Sequence, residues 1–298
     1  MKIFIFLNFL QKEFKQIKSQ TKQKMSTTKE TDYLFKCKTN EAYVLKILME
    51  LLHHTVKLAC FQINPTGIYL RMMDSNQKLL IDCVLKAENF NLFYFNDMVE
   101  NQTINIGVNL NHFYKMLKSI KKRDSVVLYI ESGKTSELGI KIIPKDFSRV
   151  TISLIKIQSI ENLEIELPNP YTNSILVSSN EFCKMCKDMI SISSTINVRA
   201  KKFHIAFYSD IHSVFSREVL LGNYQEDIDD SEHFIFEEIF DTEHISRILK
   251  ISGLHNSLNL TFEENMPFNI MSKIGSLGTI SLFLKSKKQI EQEQYSIA

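Results

Sequence analysis

"LRMMDSNQKLLIDCVL", residues 70–85, sets two apolar segments on either side of a short polar step, Met73-Asp74-Ser75-Asn76, with neither glycine nor proline at the turn. Lys78 and three large aliphatic residues follow the step. Short runs of alternating apolar residues read as half-buried strands, and from residue 34 onward such runs dominate. They occur at 59–63, 126–130, 137–143, 150–157, 173–178, 203–208, 258–263 and 279–284. Asn64-Pro65-Thr66-Gly67 supplies a turn between two of them. Alternation lapses over 158–170, which carries Pro168 and Pro170 and reads as an interdomain connector. The expected division is an N-terminal extension 1–33, a first domain 34–157, the connector 158–170, a second domain 171–288 and a tail 289–298.

Four segments break the strand pattern with helical periodicity: 41–56, 109–120, 179–190 and 242–251. They share a hexamer of the form apolar, any, basic, apolar, any, Lys. Its copies begin at residues 44, 113, 182 and 245, spaced by 69, 69 and 63. The first copy, Val44 to Met49, lacks the final Lys. This period is longer than a solenoid unit, so one helix recurs with several strands, twice per domain, and the fold class is α+β. Two basic residues three apart share a helix face, and the apolar residues beside them turn toward a sheet. One such face is ordinarily just solvated. Four in the same register read as a row of cations facing one polyanion.

The bulk composition neither demands nor forbids such a partner. The chain has 298 residues, 44 % hydrophobic and 23 % charged, with a formal net charge of +2, so a nucleic-acid surface has to come from charge gathered on one face. Five cysteines, an odd number, read as reduced thiols and not a disulfide framework. Cys183-Lys-Met-Cys186 has no second ligand pair for zinc and reads as helix packing. The apolar start of MKIFIFLNFL is too short to span a bilayer, and no A-x-A-like cleavage site follows. It is expected to be a disordered extension, or to lie upstream of a start at Met25. No G-x-S-x-G, Walker loop or metal-spaced carboxylate cluster appears, which speaks against an enzyme. His53-His54 reads as surface or channel lining.

Several stretches in order resemble the proliferating cell nuclear antigen family. These are Ala59-Cys60-Phe61, Met73-Asp74-Ser75, Gly107-Val108-Asn109-Leu110 leading into Lys115-Met-Leu-Lys118, Leu167-Pro168 with Tyr171, Glu181-Phe182 with Cys186-Lys187-Asp188, and Met266-Pro267-Phe268 with Gly278. The resemblance covers roughly 34–288. It implies two similar clamp domains, helices lining a ring with sheets outside, and a homotrimer closed head-to-tail around duplex DNA. It further implies a nuclear, non-catalytic processivity factor without cofactor or membrane association, which serves replication and repair with DNA polymerase, clamp loader and other peptide-bearing partners.

By the same resemblance Lys46, Lys115, Lys118, Lys184, Lys187 and Lys250 fall at hole-facing positions, while His53 and Ile47 replace usual lysines. The implied partner pocket is lined by Met73, Gln77, Lys78, Leu80, Ile165, Leu167, Tyr171, Pro267 and Phe283. Lys78, and Lys285-Ser286 in place of Ala-Pro, depart from the family pattern and suggest a preference for peptides with acidic flanks. Strands near 137–143 and within 196–208 are the expected ring-closing edges. A subunit of a checkpoint-type heterotrimeric clamp, or a monomeric clamp-fold scaffold, are the alternatives.

Overall fold

The computed structural model describes residues 32–160, 164–211, 214–223 and 234–297. They fall into four successive copies of one unit: a strand, a helix, then three antiparallel strands. The first is β1 (Tyr33–Thr39), α1 (Ala42–Thr55), β2 (Leu58–Asn64), β3 (Gly67–Met73) and β4 (Leu79–Lys86), with a short added β5 (Leu92–Phe95). The second is β6 (Ile104–Asn109), α2 (Leu110–Leu117), β7 (Ser125–Glu131), β8 (Glu137–Ile143) and β9 (Thr151–Lys156). The third is β10 (Asn173–Ser178), α3 (Ser179–Ile192), β11 (Thr195–Ala200), β12 (His204–Ile211) and β13 (Phe215–Gly222). The fourth is β14 (Phe236–Asp241), α4 (Thr242–Arg247) with a 3-10 turn at Leu249–Gly253, β15 (Ser257–Phe262), β16 (Phe268–Ile274) and β17 (Gly278–Leu284). A last helix, α5 (Lys287–Ile297), closes the described chain.

Units interlock by exchanging their first strands. β1 pairs with β7 of the second unit, and β6 returns to pair with β2 of the first. β10 and β14 make the same exchange between the third and fourth units. The sheet orders are β5-β1-β7-β8-β9, β10-β15-β16-β17-β4-β3-β2-β6 and β13-β12-β11-β14. The eight-stranded sheet crosses from one half of the chain to the other through β17 against β4.

All four unit helices lie in one layer, α1 against α2 and the 3-10 turn, α3 against α4 and the same turn. The spacing of apolar residues explains which face each buries. Leu45, Leu48, Met49 and Leu52 of α1 repeat at helical intervals and are fully enclosed, each burial being favourable by about 1.5–3 kcal/mol. Phe61 and Phe113 meet edge to face under α2, and Phe182 and Phe207 do so under α3. The cysteine pair belongs to this layer as well. Cys186 is buried, and desolvation holds its thiol well above the ordinary range; Cys183 donates to the Leu249 carbonyl at 3.7 Å.

Three expectations need amendment. The proposed edges at 137–143 and 196–208 are interior: β8 lies between β7 and β9, and both β11 and β12 have neighbours on each side. Each run is followed by a further strand that folds back outside it, so that among the described residues β9 and β13 each lie at one margin of their sheets. Tyr33, counted with the N-terminal extension, already pairs with Glu131; residues 1–31 lie outside the described part. The tail is helical as far as Ile297, opened by a reciprocal box in which Gln289 N–H donates to Ser286 Oγ at 3.3 Å and Ser286 N–H to Gln289 Oε1 at 2.9 Å.

Gly278 is needed where the two halves join. A Cβ there would stand 1.8 Å from the Val84 carbonyl oxygen, backbone that cannot yield without parting β17 from β4. Gly278→Ala is expected to lower stability by about 2 kcal/mol, read by chemical denaturation. Thr279→Ala, one residue on and exposed, is expected to cost distinctly less.

Candidate nucleic-acid interface and partner pocket

Asn109 ends β6 and caps α2, its side chain accepting from His112 N–H at 3.1 Å. That fixes the phase of the helix: Phe113 and Leu117 point inward, and Lys115 and Lys118 stand exposed on the other side. α3 repeats the arrangement, with Phe182, Met185 and Cys186 buried and Lys184 and Lys187 exposed. In the fourth copy Ile245 and Ile248 are buried, Arg247 is half-buried and Lys250 exposed.

The six expected lysines differ in their engagements. Lys115, Lys118 and Lys187 are exposed and have no carboxylate within ion-pair distance among the described residues. Lys184 reaches Glu181 at 2.8 Å, and Lys250 reaches Glu50 at 2.7 Å; these hydrogen bonds raise the pKa of both lysines. Surface pairs of this kind are weak and can exchange for another anion. Lys46 is used differently. Its ammonium donates to the carbonyls of Lys118 at 2.9 Å and Ile120 at 3.1 Å, capping the carboxyl end of α2. Beside it, His53 stacks on Tyr114 with centroids 4.6 Å apart, and burial, then the neighbouring His54, lowers its pKa. The first helix is therefore poorer in free positive charge than its sequence suggests.

On the central sheet, Met73, Leu80 and Phe283 stand opposite one another across β3, β4 and β17. Leu80 and Phe283 are buried, and Met73 is half-buried. The Tyr171 ring stacks on Phe283, centroids 6.3 Å apart, and its hydroxyl donates to the Pro267 carbonyl at 2.5 Å. Burial raises the pKa of that hydroxyl, so it stays a donor. These five residues form one apolar floor. Leu167 is exposed on the connector; Ile165 instead lies over the ion pair Arg71–Asp82 (2.8 Å), its carbonyl accepting from Arg71 at 3.3 Å.

Gln77 and Lys78 belong to the turn, and Asp74 makes that turn. Its carboxylate oxygen accepts the Lys78 and Leu79 amides at 2.8 and 3.0 Å, and Gln77 takes a left-handed φ of 55°. The second carboxylate oxygen is buried 3.8 Å from Arg247 of α4. A carboxylate thus performs the task that glycine or proline performs elsewhere, and ties the pocket edge to the helix layer. Sequence reading singled out the Met-Asp-Ser step but assigned no role to Asp74. Lys78 and Lys285 already have anionic neighbours, Asp241 at 3.8 Å and Glu293 at 2.7 Å. An acidic peptide flank would have to displace these carboxylates to reach either lysine.

Residues 34–164 match the family profile described as proliferating cell nuclear antigen, N-terminal domain, and residues 166–287 match that of its C-terminal domain. The chain belongs to the proliferating cell nuclear antigen family, the DNA sliding clamps, which are non-catalytic. It is 23 % identical over 256 residues to the probable DNA polymerase sliding clamp 1 of Paramecium bursaria Chlorella virus 1, covering 84 % of this chain and 96 % of that one. It is 24 % identical over 262 residues to proliferating cell nuclear antigen of Chaetomium thermophilum, covering 85 % and 98 %. The crystal structure of proliferating cellular nuclear antigen from Entamoeba histolytica superimposes with a TM-score of 0.73 at 19 % identity, over 86 % of this chain and 99 % of that one.

Asp74→Ala strands two turn amides and leaves Arg247 without its buried partner, so a loss of about 2–3 kcal/mol is expected, measured by urea denaturation. Asp74→Asn, which keeps one acceptor oxygen, should recover part of it.

Proposed function

We propose that this chain forms a homotrimeric ring that encircles duplex DNA in the nucleus, confers processivity on a DNA polymerase, and recruits loader, replication and repair proteins through the Met73–Leu80–Phe283 pocket. The observation that carries this reading is the recurrence of exposed cations, three residues apart, on successive helices of one layer. Flexible lysines touching phosphates carry no sequence information and exchange contacts cheaply, which suits a protein that must hold DNA and move along it. The division at the connector 158–170, with domains over 34–157 and 171–288, belongs to the same reading.

The strand arrangement supports ring closure. Within the chain, the last strand of the first unit pairs with the last strand of the fourth, β4 with β17. The last strands of the second and third units, β9 and β13, have no second strand partner among the described residues. Pairing β9 of one chain with β13 of the next repeats between chains the join that already exists within one, and it is a head-to-tail contact that closes by rotation. Ile152 and Leu154 are 60 % and 51 % exposed along β9, with Phe215 and Leu220 on β13, so the join would also cover apolar surface. The other margin of the second half, β14, is bordered by α5, with Lys287 to Asp241 at 3.2 Å and Lys288 to Glu238 at 3.9 Å.

Light scattering is expected to give three times the chain mass, and Leu154→Asp to reduce it to one. A stable wild-type monomer would favour a heterotrimer subunit or a scaffold. The variant Lys115→Ala/Lys118→Ala/Lys187→Ala is expected to stay folded and trimeric, since exposed helix positions cost under about 0.5 kcal/mol each. Its log affinity for DNA should depend less steeply on log salt, by about one unit per contact removed. Loss of the trimer in that variant would assign these lysines to the interface instead.

A further inference from the structure

A second concentration of positive charge begins where α2 ends. The turn between α2 and β7 and the turn between β8 and β9 enclose an open cavity of about 860 Å³, lined by Lys121, Lys122, Arg123, Lys145 and Arg149. All five are exposed, and none makes an ion pair with a described residue. The wall also holds two carboxylates, each accepting local hydrogen bonds; those from Ser148 lower the pKa of Asp146, and Lys121 lowers it further. Asp124 is buried and accepts the Lys121 amide at 2.8 Å; Asp146 accepts the Ser148 amide at 3.1 Å and its hydroxyl at 2.7 Å. Helix carbonyls would ordinarily make the end of α2 partly negative, but Lys46 covers those of Lys118 and Ile120. Five cations therefore share one concavity with the two carboxylates of Asp124 and Asp146, which leaves a formal excess of three positive charges among its charged lining residues (five minus two).

We infer that this cavity binds the phosphodiester backbone of the DNA that the ring encircles, extending contact beyond the helix layer. This rests on the clamp reading above. Continuity favours nucleic acid over an acidic peptide. Lys118 is the last exposed cation of α2, Ser119 already lines the cavity, and Lys121 to Arg123 follow in the same turn. A backbone passing Lys115 and Lys118 is thus handed on to a row of cations without a break. Long, mobile Lys and Arg side chains suit phosphates met in any register, and a duplex presents one charge about every 1.7 Å of axis.

The test uses the full chain in its native assembly, with Lys121→Ala/Lys122→Ala/Arg123→Ala and Lys145→Ala/Arg149→Ala as variants. Fluorescence anisotropy with a short linear duplex, across a salt series, is expected to show each variant binding about tenfold more weakly at low salt. The log–log salt slope should be flatter by about two units, with mass and melting temperature unchanged. Hydroxyl-radical footprinting should lose protection at one end of the footprint only. A single strand in place of the duplex is the second arm; a selective loss there would keep the backbone site and assign it to the unpaired strand. Variants that bind DNA as the wild type does would overturn the inference and leave the clamp reading intact. A wild type that binds no duplex would overturn both. Loss of poly-glutamate binding with DNA binding retained would give the cavity to a protein partner, and equal weakening by Lys86→Ala/Lys273→Ala/Lys288→Ala would reduce it to general charge.

Discussion

Strand β17 runs antiparallel to β4 along its whole length, from Gly278 opposite Leu85 to Leu284 opposite Leu79. The rest of the molecule depends on this pairing. It merges the outer sheets of the two halves into one eight-stranded sheet and so fixes the angle between them. It also carries Phe283 to Leu80, which completes the apolar floor beside Tyr171. Because a sheet twists by a fixed hand, a rigid join of this kind sets a curvature, and in the proposed assembly the same curvature would be repeated through β9 and β13.

The helix layer uses its charges unequally. Lys115, Lys118 and Lys187 make no ion pair among the described residues, whereas Lys184 is held by Glu181, Lys250 by Glu50, Arg247 by Glu243 and Asp74, and Lys46 by backbone carbonyls. Pairs such as Lys250–Glu50 and Lys184–Glu181 lie near the surface, and in the proposed clamp each carboxylate would compete with a phosphate for the same ammonium, one weak pair replacing another. That keeps the net gain per contact small. On that proposal, small gains summed over many sites would retain a polyanion without fixing its register.

Much of the fold was legible in the residues themselves. The hexamer copies at 44, 113, 182 and 245 fall within α1, α2, α3 and the α4 turn region, because helical period, buried face and basic pair all repeat together. Sheet margins were not legible, since β8 and β9 alternate equally well and only the fold-back order shows which is outermost. β13 was passed over because FSREVLLG exposes residues on both faces and lacks clean alternation. The Ser286-Lys-Lys-Gln289 box was present in the sequence, yet a capping box is decisive only with an apolar face behind it, and α5 has little of one. Of the site, the exposed lysines followed from helix phase. The capture of Lys46 did not, because its partners lie 72 and 74 residues away in the chain.

Asp74 shows how pocket and helix layer are connected. A glycine turn between β3 and β4 would have closed the hairpin, but it would have left nothing to reach the other half of the chain. A carboxylate closes the turn with one oxygen and meets Arg247 with the other. Arg247 is at once the first basic residue of the fourth hexamer and the partner of Glu243 on its own helix. The proposed partner pocket and the cation row therefore share a residue pair at their boundary, and the orientation of the turn that carries Gln77 and Lys78 is tied to the helix that leads into Lys250. The departure from ordinary turn chemistry at Met73-Asp74-Ser75-Asn76 thus has a structural reason: this hairpin end is a joint between the two halves of the chain as well as a loop.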